Sequence, residues 1–310
     1  MKTMQLANTE LYVPRLALGC MRLNDRGEDG ARAYVETALE LGLNFFDHAD
    51  IYGGGACETL FSRAIGMSPS VREKVILQSK CGIRNEPGKD TYYDFSKEYI
   101  LRSVDGSLNR LGTEYLDILL LHRPDALVEP EEVAEAFDAL SRAGKVRYFG
   151  VSNEKPMQIA LLQKYLGQKI VINQLQFSIT NATMVSNGIN VNMENEAAVD
   201  RDGSVLDYCR LHDITIQPWS PFQYGFFEGV FLGNPKFETL NQAIGALAEQ
   251  YGVTDSAIAI AWILRHPANM QPVIGSTDPA RVRAIAKALD ITLTREEWYQ
   301  IYRAAGNVLP

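Results

Sequence analysis

The 310-residue sequence has few cysteines, no excess of positive charge and no long hydrophobic run. Its four cysteines are scattered without a C-x-x-C pair, which excludes a disulfide scaffold and suits a reducing cytoplasm. The formal net charge of −8 argues against a sequence-independent grip on nucleic acid and against an anionic membrane surface. No apolar run approaches the roughly 18 residues of a membrane-spanning helix, and residues 1–9 lack the apolar segment of a secretion signal. These absences predict a cytoplasmic protein.

Two nucleotide-binding motifs are also missing. No G-x-G-x-x-G follows a candidate strand, and no G-x-x-x-x-G-K-[ST] occurs in the chain. The three glycines at 53–55 lack the lysine and the spacing of a P-loop. A Rossmann or P-loop domain therefore has no support in the sequence.

Short apolar runs alternate with amphipathic helical segments along the whole chain. Runs such as residues 118–121 are apolar at every position, which is typical of parallel strands covered on both faces. Eight strand–helix units predict an α/β fold, a single (β/α)8 TIM barrel domain over residues 1–310. An open, doubly wound sheet is the alternative. The predicted strands begin near Leu16, Leu43, Val75, Leu116, Val146, Ile170, Ile214 and Pro272.

Local signals mark helix ends and additions to the barrel. Ser96 is a predicted N-cap, and the capping-box pattern that begins at Thr294 predicts a final helix outside the eight units. Residues 8–9 have the composition of a hairpin turn. Residues 180–202 are polar, asparagine-rich and loop-like, whereas residues 222–252 include a helical segment.

Four polar side chains follow consecutive candidate strands, at the barrel end where active sites form. Asp47 and Tyr52 follow the second strand, Lys80 ends the third, and His122 ends the fourth. A phenol has a reference pKa of about 10, and an ammonium that is held charged by Asp47 lowers it. Tyr52 can then protonate a carbonyl oxygen as negative charge develops there, while His122 hydrogen-bonds the substrate oxygen or the phenol.

Two other uses of these residues stay open. His48, Asp50, Asp47 and His122 are potential metal ligands, but neighbours in a strand point apart and no H-x-H or H-x-x-x-H pair is present. We therefore expect no metal. A barrel lysine such as Lys80 also suits a Schiff-base aldolase.

Further residues at the same rim suit a dinucleotide hydride donor. Side chains that end the fifth and sixth strands can bind the nicotinamide amide, and a tryptophan after the seventh offers a stacking face. The loop after the seventh strand and the helix N-terminus after the eighth offer N–H groups to a pyrophosphate. An arginine there suits the 2′-phosphate of NADP, with helix capping and a solvated arginine as the alternative. These candidates are Ser152, Asn153, Gln174, Trp219, Ser220, Pro221, Phe222, Gly225, Gly275, Ser276, Thr277 and Arg281.

Seven segments, in order over nearly the whole chain, resemble the aldo-keto reductases. The D-H-A-D-I-Y-G strand end is most similar to bacterial oxidoreductases of that family. The segments are 18–22 (LGCMR), 44–53 (NFFDHADIYG), 79–82 (SKCG), 119–125 (LLLHRPD), 144–153 (GKVRYFGVSN), 173–174 (NQ) and 274–276 (IGS).

The resemblance implies a (β/α)8 barrel closed at its base by an N-terminal hairpin, with extra loops and helices at the carboxyl-terminal face. It implies reduction of aldehydes and ketones with NADPH and without a metal. The catalytic tetrad would be Asp47, Tyr52, Lys80 and His122, in which Tyr52 is the general acid in reduction and the base in alcohol oxidation. Cofactor roles carry over to Met21, to Asp47 and to all the candidates named above.

The sequence departs from the family pattern at expected cofactor contacts. Trp219 stands where many members have Tyr, and Phe222 replaces the usual Leu. Gly275 stands where some members place a Lys, and residues 284–285 (AI) replace a Glu-Asn pair at the adenine. Arg281 is therefore the main support for a preference for NADPH over NADH.

Some members of this family act instead as cofactor-sensing regulatory subunits, such as the β subunits of potassium channels, and they retain the tetrad. This sequence lacks their extra N-terminal segment and a basic patch for a partner. We therefore expect an enzyme that acts on a small-molecule carbonyl.

Overall fold

Eight parallel strands form a barrel in the computed structural model, which describes residues 3–310. They are β1 (Ala17–Gly19), β2 (Phe45–Asp47), β3 (Ile76–Cys81), β4 (Leu116–Leu121), β5 (Val146–Ser152), β6 (Ile170–Gln176), β7 (Thr215–Trp219) and β8 (Val273–Ile274). From β1 to β7 each strand pairs with the next, and β8 pairs with β1. At the remaining seam, the N–H of Gln271, just before β8, donates to the carbonyl of Ile216 in β7 at 3.0 Å. The predicted barrel is confirmed, and each strand begins within two residues of its predicted position.

Twelve α-helices are found among the described residues, and most of them cover the outside of the barrel. Their ends follow the sequence signals: the Ser96 hydroxyl accepts from the N–H of Tyr99 at 3.4 Å, and Thr294 and Glu297 form the predicted capping box. The helices are α1 (Gly27–Glu40), α2 (Ala56–Ile65), α3 (Pro69–Arg72), α4 (Lys97–Leu111), α5 (Pro130–Arg142), α6 (Pro156–Tyr165), α7 (Thr183–Ile189), α8 (Val205–Leu211), α9 (Glu238–Tyr251), α10 (Asp255–Leu264), α11 (Pro279–Ala286) and α12 (Arg295–Ala304).

The apolar core has two layers, because side chains of each strand alternate between the barrel interior and the helices. The outer layer fills the space between strands and helices. The inner layer includes Phe45, Ile118 and Val273. A hairpin of Thr3–Gln5 and Tyr12–Pro14 adds to this inner layer, so it covers the base of the barrel and leaves the opposite rim open.

The segment 180–202 differs from the sequence expectation of a loop. Part of it is the helix α7, whose Met184 and Val185 side chains are buried. The Asn190 amide after this helix donates to the carbonyl of Val308 at 3.1 Å. Burial against the C-terminal part of the chain therefore stabilises a helix that asparagine-rich composition disfavours. The helix expected within residues 222–252 is present as α9.

None of the helices in residues 3–310 combines the length and the apolarity that crossing a membrane requires. The four cysteines are free and buried.

Candidate active site

The four tetrad candidates lie at the open rim, where β2, β3 and β4 end. Asp47 is the last residue of β2, Lys80 is the penultimate residue of β3, and His122 directly follows β4. Tyr52 begins a single 3-10 turn, Tyr52–Gly55, after β2. The carboxyl ends of parallel strands meet at one edge, so residues far apart in sequence converge here.

The glycines after Tyr52 allow this sharp turn. Gly53 and Gly54 have φ values of 58° and 63°, a left-handed conformation that costs other residues free energy. A Cβ atom on Gly53 would lie 2.4 Å from Nδ2 of Asn24. The turn fixes the direction in which Tyr52 leaves the backbone.

Lys80 is the centre of the site. Its ammonium donates to the Asp47 carboxylate at 2.8 Å, to the carbonyl of His48 at 2.8 Å and to the Tyr52 hydroxyl at 3.1 Å. Lys80 is 0 % exposed and Asp47 is 2 % exposed. Because a buried charge is costly unless it is paired, the carboxylate and the ammonium stabilise each other in the ionised form.

The pKa values follow from burial and from this pairing. Burial acts to lower the pKa of Lys80, but Asp47 and Tyr52 outweigh it, so the pKa of the ammonium is raised. Burial raises the pKa of the Tyr52 hydroxyl, although Lys80 acts in the opposite direction. The lowered pKa that the sequence predicts for Tyr52 is therefore wrong, because burial of the phenol outweighs the Lys80 charge. The tyrosine is therefore a protonated phenol at neutral pH, beside an ammonium that would stabilise its anion.

His122 faces Tyr52 across the rim. The two rings meet edge to face, with centroids 5.9 Å apart. Burial, together with the charges of Lys80 and Arg123, holds the pKa of His122 well below its usual value. Nδ1 of His122 is buried without a hydrogen-bond partner among the described residues. The imidazole is therefore neutral and keeps hydrogen-bonding capacity for a ligand.

The other two potential metal ligands point away from this centre. The His48 ring packs edge-on against Phe61, and burial lowers the pKa of His48 to about 3. The Asp50 carboxylate accepts from Ser103 at 2.6 Å and from Tyr99 at 3.0 Å. Within residues 3–310, no group of three or more His, Cys, Asp or Glu side chains is arranged to hold a metal ion.

A chain of buried glutamines lies beneath Asp47 and was not identified from the sequence. The amides of Gln78 and Gln174 donate to Oδ1 of Asp47 at 2.5 and 3.2 Å. Both also donate to Oε1 of Gln217, at 2.9 and 3.0 Å. Gln217 donates to Gln271, whose amide reaches a carbonyl of the basal hairpin. The available signal was that Gln78 precedes Lys80 by two residues and therefore shares its face of β3.

Three of the nicotinamide candidates form one hydrogen-bonded row at the ends of β5 and β7. The Ser152 hydroxyl accepts from the Asn153 amide at 2.8 Å. The indole N–H of Trp219 donates to Oδ1 of Asn153 at 3.1 Å. Gln174 lies between this row and the tetrad, because its carbonyl accepts from Ser152 while its amide reaches Asp47.

The N-terminus of α11 contains the phosphate candidates. Asp278 caps the helix by accepting from the N–H of Arg281 at 3.0 Å, and Ser276 accepts from the N–H of Asp278. The Arg281 side chain is exposed. Arg26, which no local sequence pattern connects with this site, donates to the Thr277 hydroxyl at 3.0 Å. Two guanidinium groups therefore stand near this helix end.

The remaining candidates lie on loops at the same rim. Met21 follows β1 and is 41 % exposed. The loop after β7 holds Ser220, Pro221, Phe222 and Gly225, in which Ser220 and Gly225 adopt φ values of 52° and 61°. A Cβ atom added to Gly275 would have no neighbouring atom within 4 Å.

Residues 15–305 match the Aldo/keto reductase family. A barrel of this architecture with this match defines an oxidoreductase that acts on small molecules, and carbonyl reduction with a nicotinamide cofactor is the general chemistry of its members. The chain belongs to the aldo-keto reductase family.

Known relatives span nearly the full length of the chain. The uncharacterized oxidoreductase YcsN of Bacillus subtilis is 38 % identical over 98 % of each chain. The 6-dehydroglucose reductase of Agrobacterium fabrum is 33 % identical over 96 % of this chain and 95 % of its own. The holo form of an aldo-keto reductase from Bacillus halodurans is 28 % identical, with a TM-score of 0.75 over 100 % of this chain and 98 % of its own.

Proposed function

We propose that the chain is an NADPH-dependent reductase that converts aldehydes and ketones to alcohols, with Tyr52 as the general acid and base. The observation that carries this proposal is the contact of the Tyr52 hydroxyl with the Lys80 ammonium, 3.1 Å apart, with Asp47 paired behind it. When bound, the reduced nicotinamide supplies the hydride that reaches the carbonyl carbon.

The proton comes from Tyr52. The raised pKa keeps this phenol protonated at neutral pH, as a general acid must be before the reaction. As negative charge develops on the substrate oxygen, Tyr52 transfers its proton, and Lys80 stabilises the resulting phenolate. The neutral His122 hydrogen-bonds the same oxygen. In alcohol oxidation, the Tyr52 phenolate accepts the proton.

The state of Lys80 argues against a Schiff-base aldolase. A lysine that attacks a carbonyl must first be a neutral amine. Here the ammonium donates to three acceptors, and its raised pKa opposes loss of a proton. Lys80 therefore suits an electrostatic role.

The residues present fit a nicotinamide dinucleotide. Ser152, Asn153 and Gln174 would hold the carboxamide, and Trp219 offers a stacking face. Backbone N–H groups of the loop after β7 would hold the pyrophosphate. The family resemblance assigns cofactor contacts to Met21 and to Ser220, Pro221, Phe222 and Gly225. Gly275, Ser276, Thr277 and Arg281 would hold the 2′-phosphate, because a helix N-terminus, two hydroxyls and a guanidinium favour an anion.

The free, buried cysteines are compatible with the cytoplasmic location that the sequence predicts. They would not need an oxidising compartment to support the fold.

The decisive experiment follows the oxidation of NADPH with a panel of aldehydes, ketones and quinones, for the natural chain and for Tyr52→Phe. We expect turnover by the natural chain and a kcat lower by at least ~10² in the variant. The dissociation constant of NADPH should stay nearly unchanged, because Tyr52 touches the substrate oxygen.

Normal turnover by Tyr52→Phe would disprove the assigned role. Tight NADPH binding with negligible turnover on the whole panel would instead favour a cofactor-sensing regulatory protein. A borohydride-trapped adduct on Lys80, without NADPH consumption, would favour the aldolase.

A further inference from the structure

Arg123 is a partly buried arginine without an acidic partner. It follows His122 directly, at the end of β4. Its guanidinium makes neither a salt bridge nor a hydrogen bond with any residue of the range 3–310. The nearest carboxylate in sequence is occupied, because Asp125 accepts from the N–H groups of Phe95 and Leu127 at 3.0 and 2.8 Å.

Arg72 and Arg110, which are also withdrawn from solvent, are paired with acids, whereas Arg15 donates to the backbone carbonyl of Leu264. Arg72 contacts Asp117 at 2.6 Å, and Arg110 contacts Glu58 at 2.7 Å. Pairing is the expected arrangement, because moving a charge out of water without a partner is unfavourable. Burial accordingly lowers the pKa of Arg123. None of its nitrogen atoms is sealed from solvent without a partner, so the N–H groups remain open to the rim.

Aromatic rings hold Arg123 across the mouth of the barrel. Its guanidinium carbon lies 5.4 Å from the ring centroid of Trp219 and 5.6 Å from that of Phe226. Trp219 ends β7, and β5 and β6 separate it from β4, so this contact crosses the opening. Such rings hold the cation in place and exclude water from it, which strengthens its attraction to an anion.

The position of Arg123 distinguishes a substrate group from a cofactor phosphate. The candidate 2′-phosphate residues follow β8, and four pairing steps around the sheet separate β8 from β4. Arg123 instead adjoins His122, which faces Tyr52. A charge bound by Arg123 would therefore lie away from the 2′-phosphate site and beside the two residues that meet the carbonyl oxygen.

We propose that Arg123 forms a subsite for an anionic group of the substrate, so that the preferred substrates are aldehydes or ketones that carry a carboxylate. This inference rests on the proposed carbonyl reduction. The planar guanidinium leaves N–H donors at its edge, and a carboxylate matches that fork with two parallel hydrogen bonds. The exposed aromatic side chains Phe226 and Phe227 would contact the apolar part of such a substrate.

The test compares 4-carboxybenzaldehyde with methyl 4-formylbenzoate, its neutral ester, at saturating NADPH. The proteins are the natural chain, Arg123→Met, Arg123→Lys and the control Arg142→Met. Arg142 ends α5 at the base of the barrel, so the Arg142→Met substitution removes the same charge far from the rim. We expect kcat/KM for the acid, relative to that for the ester, to fall ~10–100-fold in Arg123→Met. The loss should appear mainly in KM, Arg123→Lys should restore part of it, and Arg142→Met should match the natural chain.

Equal changes for acid and ester in Arg123→Met would overturn the proposal, as would a natural chain that favours the ester. A weaker dissociation constant for NADPH in Arg123→Met, with an unchanged acid-to-ester ratio, would also overturn it and assign Arg123 to the cofactor. If the natural chain reduced neither aldehyde and no other carbonyl of the wider panel, that result would instead refute the proposed function.

Discussion

Gln78 and Asp47 are direct neighbours across the β2–β3 pair, and the Gln78 amide nitrogen lies 2.5 Å from Oδ1 of Asp47. Lys80, two residues further along β3, contacts the same carboxylate. One strand therefore provides both an amide and an ammonium to Asp47, and the carboxylate is held from two directions.

The glutamine chain below has its direction set at both ends. The Asp47 carboxylate and the Pro14 carbonyl can only accept, so the amide nitrogens must point towards both. As a result, Oε1 of Gln78 is buried without a partner among the described residues. Turning this amide over would place its oxygen against the carboxylate.

We predict that Gln78→Leu lowers kcat by ~5–50-fold, because Asp47 loses a charge-assisted hydrogen bond that helps to position Lys80. Thermal stability should change little, since the variant also removes the unpaired Oε1. Steady-state kinetics and a melting curve measure the two effects, with Gln242→Leu on the surface of α9 as the control. A loss of activity that only parallels unfolding would contradict the positioning role.

The Tyr52–Lys80 contact predicts different pH dependences for the two directions of reaction. Reduction needs the phenol, so its kcat should stay level from about pH 6 to about pH 9. Alcohol oxidation needs the phenolate, so its rate should rise with pH over that range. In Lys80→Met the phenolate loses the ammonium that stabilises it, so the pKa of Tyr52 rises further. The rising limb of the pH–rate profile for alcohol oxidation should therefore move to higher pH. An unmoved limb in pH–rate profiles would exclude Tyr52 as the titrating base.

Replacing either arginine near the N-terminus of α11 should weaken the binding of NADPH but not that of NADH. Arg281→Ala should weaken NADPH binding by ~1.5–3 kcal/mol, the scale of a hydrogen bond to a charged group, and should spare NADH. Arg26→Ala should show the same selectivity, since its side chain reaches Thr277. Fluorescence titration gives the dissociation constants. Arg283→Ala is the matched control, because Arg283 on the same helix pairs with Glu40. Equal losses for NADPH and NADH would mean that these residues support the fold.

Glu154 predicts a pH-dependent stability. Burial, and then the charge of Asp125, raises the pKa of this carboxyl from 4.5 to about 7. Between these values the unfolded chain loses the proton first, so the free energy of unfolding falls as pH rises through this window. Glu154→Gln should therefore stabilise the fold by about 1–3 kcal/mol at pH 8 and by much less at pH 5.

Denaturant titrations at the two pH values test this prediction. Glu131→Gln, at an exposed position on α5, is the control and should show no such difference. A Glu154→Gln effect of equal size at both values would show that the carboxyl does not titrate in this window.

Apolar runs are enough to locate the eight strands, because burial on both faces leaves stretches such as residues 118–121 of β4 apolar at every position. Eight parallel units then favour a barrel over an open sheet, and a barrel brings every strand end to one rim. The grouping of Asp47, Tyr52, Lys80 and His122 follows from that topology alone. The caps at Ser96 and Thr294 are equally readable, since each depends on residues only a few positions apart.

Contacts between distant residues depend on the packed structure. Nothing local indicates that Gln78 meets Gln217, that Arg26 reaches Thr277 or that Arg123 crosses to Trp219. The helix α7 forms in an asparagine-rich segment because its apolar side chains find a buried surface. The pKa of Tyr52 likewise depends on a balance of burial against the Lys80 charge, and that balance exists only once the barrel has excluded water.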